Sequence, residues 1–141
     1  DLGSAFMYIT IVGCGRLGSM LAENLANNGY DIAIIDRNAK NLETLGSGFN
    51  GLRVKGVEFD NDVLIDAGIK QADCLIAATP FDNINITVAL VAKKIFSVPR
   101  IIAKINDPQK KRVYDSLAIE TINPTELSAY ILKTRIEEKL K

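Results

Sequence analysis

Short apolar runs alternate with stretches of helical periodicity along almost the whole chain. Apolar residues that recur every three or four positions indicate helices, whereas short continuous runs indicate buried strands. The run at residues 74–78 is uninterrupted, as is typical of a strand covered on both faces. The pattern predicts six strands, at residues 8–12, 32–35, 52–55, 74–78, 100–105 and 118–122.

Helices are predicted between these strands and after the last one. Asn28-Gly29 is a C-terminal helix signal, and Asp107-Pro108 and Asn123-Pro124 are N-terminal signals. The predicted helix at 82–96 is long and broadly apolar, so we expect it to be deeply buried. The other helices are expected at residues 16–28, 39–45, 61–67, from Asp107 onward, and from Asn123 to the end of the chain.

Alternation of strand and helix predicts the α/β class. Right-handed helical crossovers lead to a doubly wound, parallel, six-stranded Rossmann sheet of order 3-2-1-4-5-6 with helices on both faces. The length of 141 residues is near that of a typical single domain. We assign residues 7–141 to this domain. Residues 1–6 precede Met7 without a recognisable pattern, and we interpret them as a tag or a disordered lead.

The loop after the first predicted strand is rich in glycine. It has the sequence Gly13-Cys14-Gly15-Arg16-Leu17-Gly18, and a predicted helix begins within it. Such glycines permit a tight turn, let the backbone approach a pyrophosphate and let the helix pack closely on the strand. The NH groups at the start of that helix then face the phosphates. The position of this motif between strand and helix predicts a phosphate site.

An acidic residue follows at a suitable distance. Asp36 ends the second apolar run, 18 residues after Gly18. Its carboxylate can accept hydrogen bonds from both hydroxyls of an adenosine ribose and would repel a 2′-phosphate. Ligands of doubly wound sheets bind beyond the carboxyl ends of the strands, between the first and fourth. The expected lining is the glycine loop together with Asp36, Arg37, Val57, Glu58, Ala78, Thr79 and residues 104–106, beginning with Lys104.

Composition excludes several function classes. The 17 basic and 17 acidic residues balance, which disfavours a nucleic acid partner. No apolar stretch reaches the roughly 20 residues that cross a bilayer, so direct membrane insertion is not expected. The chain lacks histidine, which argues against hydrolytic triads and imidazole metal sites, and we expect no metal.

The two cysteines, Cys14 and Cys74, fall at opposite ends of their predicted parallel strands. A disulfide between them is therefore not expected, and reduced thiols indicate a cytoplasmic protein. Redox sensing by Cys14 is an alternative. We favour the simpler role of a small residue in a tight loop.

These residues resemble one family, the regulator-of-potassium-conductance N-terminal domain, also called the TrkA-N or KTN domain. Its members are cytosolic regulatory domains of potassium channels and of Trk- and Ktr-type potassium uptake systems. The resemblance extends from Met7 to about Lys141 and rests on the glycine motif, Ile35-Asp36-Arg37, Leu64-Ile65-Asp66-Ala67-Gly68-Ile69, Ala72-Asp73, Ala78-Thr79 with Asp82 and Asn85, Ala103-Lys104-Ile105 and Asn123-Pro124.

The resemblance implies a ligand and partners. The ligand is NAD(H) or an adenine nucleotide such as ATP, ADP or AMP, held by the glycine loop and Asp36. The partners are a membrane potassium-translocating subunit and further copies of the chain, in a dimer or an octameric ring. The protein would then be cytoplasmic, at the inner face of the cell membrane through its partner, and would sense a ligand without catalysing a reaction.

Three basic residues have two interpretations each. Arg16 matches a family position near phosphates or near the neighbouring subunit's ligand. We favour that role over a solvated one, because a cation in the first turn opposes the helix dipole and needs an anion. Arg37 could stack on adenine or lie on the surface. Lys104 matches a basic family position, or it pairs with an acid such as Asp107.

Two departures from the family leave the identity of the nucleotide open. Gly56 is followed by Val57 and Glu58, where many relatives have Gly-Asp or an asparagine near the adenine. Pro124-Thr125-Glu126 stands where relatives often have Pro-Glu. The last helix also has an apolar stripe, which could pack on its own sheet, on a C-terminal half or on a twin subunit.

An enzyme remains the alternative function, as the coenzyme-binding domain of an NAD-dependent oxidoreductase. That function needs a substrate domain and an acid–base residue near the nicotinamide. The available candidates for the acid–base role are Lys104 and Asp82. Because the regulatory function needs neither, we favour a ligand-sensing regulatory domain.

Overall fold

A computed structural model of the chain describes residues 7–140. Residues 1–6, which we interpret as a tag or a disordered lead, lie outside the described residues, as does Lys141.

Six parallel strands form one sheet. The strands are β1 Tyr8–Val12, β2 Asp31–Asp36, β3 Leu52–Lys55, β4 Cys74–Ala77, β5 Arg100–Lys104 and β6 Glu120–Ile122. Their order in the sheet is β3-β2-β1-β4-β5-β6. In β1, Ile9 lies beside Ile32 of β2 and beside Cys74 of β4. The predicted doubly wound fold is therefore confirmed, with its switch point between β1 and β4.

Two apolar cores lie on opposite faces of the sheet. Successive side chains of a strand point to opposite faces, so neighbours in β2 enter different cores. Ile35 packs with Leu75 and Val88 on one face. Ile34 packs with Leu42 on the other. Both faces therefore carry helices, as the continuous apolar runs predict.

Each helix lies between strands or follows β6. Asn38, Asp60 and Asp107 accept hydrogen bonds from backbone NH groups at the starts of the segments that follow them. The helices are α1 Arg16–Asn27, α2 Ala39–Glu43, α3 Asn61–Asp66, α4 Asp82–Lys94, α5 Lys111–Ser116 and α6 Pro124–Leu140, with 3₁₀ turns at Ile69–Gln71 and Pro108–Lys110.

Several boundaries differ from the prediction. Strand β6 begins at Glu120, because Ala118 has a φ of +55° and belongs to the turn that ends α5. The segment after Asp107 begins as a 3₁₀ turn before it becomes α5. Helix α4 is buried along one face only, and Ile95 just beyond it is 57% exposed. Its many apolar residues do not imply burial on all sides.

Helix α6 does not pack on the sheet along most of its length. Its apolar stripe is open, with Leu127 47% exposed, Tyr130 69% and Ile136 61%. Of the interpretations of this stripe, packing on its own sheet is wrong.

None of the helices between residues 7 and 140 combines the length and the apolar character that crossing a bilayer requires.

Candidate functional site

The glycine loop is held tightly against its neighbours at two positions. Gly13 has a φ of +102°, and a Cβ there would lie 2.8 Å from the Thr79 backbone nitrogen. A Cβ on Gly18 would overlap the carbonyl oxygen of Gly13. Larger residues would force the strand, the loop and α1 apart. The two glycines thus set the close approach of α1 to β1.

The middle of the loop is open. A Cβ built on Gly15 meets nothing within 4 Å. Gly15 is the N-cap of α1, no side chain within residues 7–140 caps this helix, and its first turn contains no acidic residue. At the start of α6, by contrast, the Asn123 side chain accepts a hydrogen bond from the Glu126 NH. Helix α1 therefore presents an electropositive N-terminus, unfilled by side chains, to an open space.

Asp36 connects the glycine loop to the loop after β2. One carboxylate oxygen accepts the Cys14 NH at 2.9 Å. The other accepts the Asn38 NH at 2.8 Å and the Asn41 amide at 3.2 Å. A carboxylate has about four acceptor positions, so one remains for a ligand. Asp36 therefore has a structural role, and its ribose role stays a prediction.

Arg37 and Glu58 form an ion pair beside Asp36. The shortest contact, from Nη2 of Arg37 to Oε1 of Glu58, is 2.7 Å, and Nε of Arg37 also contacts both carboxylate oxygens. The Glu58 side chain is 5% exposed and that of Arg37 is 50% exposed. Hydrogen bonding and attraction to Glu58 raise the pKa of Arg37 above its usual value. Arg37 lies at the surface, but its contacts with the buried Glu58 carboxylate fix the orientation of the guanidinium.

A cleft of about 220 Å³ opens where these residues meet the loop after β4. Four of the predicted lining residues, Asp36, Arg37, Glu58 and Thr79, are brought together there. Five further lining residues were not predicted from the sequence. These are Asn38, Asn41, Pro80, Phe81 and Ile84. Asn38 has a recognisable signal, as a helix-capping residue, and the other four have no signal in the sequence. The cleft is charged on one side and apolar on the other, with Phe81 62% exposed.

A side-chain network shapes the loop after β4. The fully buried Asn85 accepts hydrogen bonds from the Thr79 NH and hydroxyl, at 2.9 and 2.7 Å. Its amide donates to the carbonyl oxygens of Thr79 and Lys104, both at 3.0 Å. All four contacts are internal to the protein, so Asn85 fixes the β4 and β5 ends together. The Thr79–Asn85 spacing in the sequence therefore has a structural cause.

Asp82 extends the same network toward the β5 end. Its carboxylate accepts the backbone NH of Asn106 at 2.7 Å and that of Asp107 at 3.0 Å. Its carbonyl oxygen accepts the Tyr114 hydroxyl at 2.8 Å. Burial raises the pKa of Tyr114 to about 12. Asp82 thus accepts backbone donors and shapes the loop after β5.

The other predicted site residues are not part of the cleft lining. Val57 is 40% exposed, and Ala78 is buried under Gly13. Leu17 is 38% exposed on the first turn of α1. Arg16 is exposed, and within residues 7–140 neither it nor Lys104 takes part in an ion pair. The alternative of a Lys104–Asp107 pair is therefore not seen.

Both cysteines are free thiols, as the sequence predicts. Burial is the main cause that raises the pKa of Cys14, and its Sγ donates to the carbonyl oxygen of Asn41 at 3.2 Å. The thiol is therefore protonated at neutral pH, which suits a small packing residue in the loop. Across residues 7–140, His, Cys, Asp and Glu side chains form no group of three or more that could hold a metal ion.

A doubly wound sheet with an uncapped helix at its switch point and an acid at the end of β2 defines a Rossmann-type nucleotide-binding domain. The TrkA-N domain family matches residues 9–124. The chain belongs to this family.

Similar proteins support the same assignment. A Trk system potassium uptake protein TrkA from Streptomyces coelicolor is 45% identical over 116 residues, which are 82% of this chain and 52% of that protein. The chain thus spans about half the length of this relative. A GsuK channel bound to NAD superposes with a TM-score of 0.76 at 27% identity, over 94% of this chain and 24% of that one. GsuK bound to ADP superposes with a TM-score of 0.74 at 27% identity, over 94% and 34%.

Proposed function

We propose that this chain is the nucleotide-sensing domain of a cytosolic regulatory protein that controls potassium uptake. It binds NAD(H) or an adenine nucleotide (ATP, ADP or AMP) and transmits the ligand state to a membrane potassium-translocating partner. The observation that carries the proposal is the open N-terminus of α1 beside the cleft at Asp36.

The geometry supports a nucleotide laid across the switch point. Phosphates would lie over Gly15, where the space is open and the NH groups of α1 are unfilled. Adenosine would lie in the cleft, with a ribose hydroxyl on the remaining acceptor position of Asp36 and the base between Arg37 and Phe81. Arg16, exposed in the first turn, would reach the phosphates of this ligand or of a neighbouring subunit's ligand.

Regulation requires that the ligand bind two arrangements of the protein with different affinities, and a coupling free energy of about 1–3 kcal/mol is typical. Helix α6 supplies a surface for such arrangements, because its exposed apolar stripe needs a partner. We infer that this stripe contacts a second copy of the chain in a dimer or a larger ring. The assembly would act on the membrane partner from the cytoplasmic side.

Calorimetric titration with NAD, NADH, ATP, ADP and AMP tests the proposal. We expect at least one nucleotide to bind without turnover. Gly15→Val should weaken that binding about a hundredfold or more, because the side chain fills the phosphate space. Its melting temperature should remain close to the original, since Gly15 has no close neighbours. Equal binding by Gly15→Val would place the ligand elsewhere. Turnover would favour the oxidoreductase alternative, and binding of none of the five would contradict the proposal.

Light scattering tests the assembly. Ile131, 41% exposed on α6, is changed to glutamate, which should lower the solution mass if the stripe joins two copies. Glu138→Gln on the same helix is the matched control and should leave the mass unchanged. A mass that is the same for all three proteins would contradict self-association through this stripe.

A further inference from the structure

We propose that Glu58 makes the cleft selective for adenosine nucleotides with a free ribose 2′-hydroxyl, by occupying the edge of the Arg37 guanidinium that would otherwise bind a 2′-phosphate. The inference rests on the proposed function, since it concerns the same cleft. It assigns to Glu58 a role as a specificity-determining residue, acting through Arg37.

The residues at the end of β2 are compatible with two kinds of nucleotide, those with a 2′-hydroxyl and those with a 2′-phosphate. An acid at this position accepts a ribose 2′-hydroxyl, whereas a nearby arginine accommodates the 2′-phosphate of an NADP-type ligand. This chain has both, as Asp36 and Arg37. From these two residues alone, a nucleotide with or without the 2′-phosphate would be acceptable. The choice between these two kinds of nucleotide depends on whether the guanidinium group of Arg37 is free to bind a phosphate.

Glu58 uses one whole edge of that guanidinium. Nε of Arg37 lies 3.0 and 3.1 Å from the two carboxylate oxygens, and Nη2 lies 2.7 Å from Oε1. The Arg37 backbone NH also points at the Glu58 carboxylate, at 3.3 Å. An arginine binds phosphate strongly through two parallel hydrogen bonds from one such edge. Because Glu58 already occupies the Nε–Nη2 edge, Arg37 cannot offer it to a ligand.

Burial makes this pair persistent. Glu58 is 4% exposed, so its carboxylate needs a partner and cannot turn into solvent when a ligand arrives. The Arg37 side chain is half exposed and could move, but its departure would leave the buried carboxylate without its cation, with only the Arg37 backbone NH as a donor. Breaking a pair in that way is costly. The ion pair is therefore expected to remain when a nucleotide binds.

The net charge of the cleft also favours a ribose 2′-hydroxyl over a 2′-phosphate. Its lining contains two carboxylates, Asp36 and Glu58, and one cation, Arg37, for a net charge of −1. A hydroxyl group donates a hydrogen bond to Asp36 at no electrostatic cost. A phosphate group at the 2′ position would place a dianion beside that carboxylate, and like charges repel strongly in a partly buried site. The cleft thus accepts ribose and rejects 2′-phosphorylated ribose.

Two ligand pairs test the inference, 5′-AMP against adenosine 2′,5′-bisphosphate and NAD against NADP. Within each pair the molecules differ only by the 2′-phosphate. The unaltered chain should bind the 2′-hydroxyl member at least tenfold more tightly. Glu58→Gln keeps the side-chain size, removes one negative charge and frees Arg37. It should lower this preference about ten- to a hundredfold, the range of a hydrogen bond to a charged group.

Two further variants test whether the freed Arg37 guanidinium, and not a general loss of negative charge, changes the preference. Arg37→Gln added to Glu58→Gln should restore most of the preference for the 2′-hydroxyl, because the freed guanidinium is gone. Glu138→Gln removes the same charge on α6, far along the chain from the cleft, and should leave the preference unchanged. The thermal melting of each variant shows that it is folded.

The outcomes distinguish this inference from the proposed function. If none of NAD, NADH, ATP, ADP and AMP binds the unaltered chain, the adenosine site itself is wrong, and the inference falls with it. If only NADH, ADP or ATP binds, that nucleotide and its 2′-phosphate form the test pair. If the 2′-hydroxyl member of a pair binds and the 2′-phosphorylated member binds equally well, only the inference is overturned, whether or not Glu58→Gln folds. The inference is also overturned if Glu58→Gln folds and keeps the original preference.

Discussion

The two loops that meet at the switch point are built in opposite ways. The loop between β1 and α1 is made by glycines, and a methyl group added at its centre, on Gly15, would meet no neighbour within 4 Å. The loop between β4 and α4 is made by interlocked side chains, with Asn85 completely buried and bonded at every polar atom. The loop between β1 and α1 leaves backbone NH donors unused. The loop between β4 and α4 uses its polar groups in hydrogen bonds within the protein.

This difference assigns a role to each loop. Unused NH groups at a helix N-terminus can bind an anion, whereas satisfied groups give a wall of fixed shape. The first loop is therefore suited to hold the ligand, and the second is suited to limit where the ligand lies. Gly13 joins the two, because only a residue without a side chain lets the loops touch at Thr79.

The largest expected effect comes from breaking the second loop. Asn85→Ala removes four hydrogen bonds and takes away the Asn85 partner of the Thr79 NH and of the carbonyl oxygens of Thr79 and Lys104. Each such group costs about 1–3 kcal/mol, so we expect a loss of about 4 kcal/mol in the free energy of unfolding. Urea denaturation measures the loss. Asn83→Ala, exposed on the same helix, is the control and should change stability by less than about 0.5 kcal/mol. A small effect at both positions would mean that the network does not shape the loop.

A pair of identical changes three residues apart sharpens the contrast within the first loop. Gly18→Ala places a methyl group against the Gly13 carbonyl oxygen and should cost about 2–3 kcal/mol. Gly15→Ala enters open space with a φ of −89° and should leave stability within about 0.5 kcal/mol. Thermal unfolding of both variants measures the difference. Similar losses in the two would contradict the division into a packing glycine and a ligand-facing glycine.

The smallest effect concerns the anchor of the second loop at high pH. The pKa of Tyr114 is raised from 10.0 to about 12, so the folded chain keeps this proton at a pH where the unfolded chain has lost it. The resulting stability is fully present below pH 10 and is lost as the pH rises toward 12.

Tyr114→Phe removes the hydrogen bond to Asp82 and should cost about 1 kcal/mol at neutral pH. It should also flatten the decline of stability between pH 10 and 12. Burial raises the pKa of Tyr8, Cys14 and Cys74 in the same direction, so the difference between the two proteins is the relevant quantity. An equally steep alkaline decline in both would show that the Tyr114 hydroxyl does not anchor the loop.

Much of the fold can be predicted from the sequence because its signals are local. Continuous apolar runs predict the buried strands, and Asp107 caps a helical segment where the Asp107-Pro108 signal predicts one. Boundaries that depend on a turn are less predictable. Ala118 is apolar like the residues of a strand, yet the end of α5 imposes a left-handed conformation on it. The half-exposed α4 and the open stripe of α6 depend on which surfaces the rest of the chain happens to cover.

The sequence by itself determined the class of site: a glycine loop before a helix and an acid after the next strand predict a nucleotide at the switch point. Only the tertiary structure decided how those residues are used. Asp36 uses three acceptor positions on Cys14, Asn38 and Asn41. Glu58, 21 residues away in the chain, takes the guanidinium of Arg37. The physical reason is that a charged side chain acts through whatever lies within hydrogen-bonding distance. Asn38 and Asn41 are close to Asp36 in the chain, but Cys14 and Glu58 follow β1 and β3, whose ends meet the end of β2 only in the folded sheet.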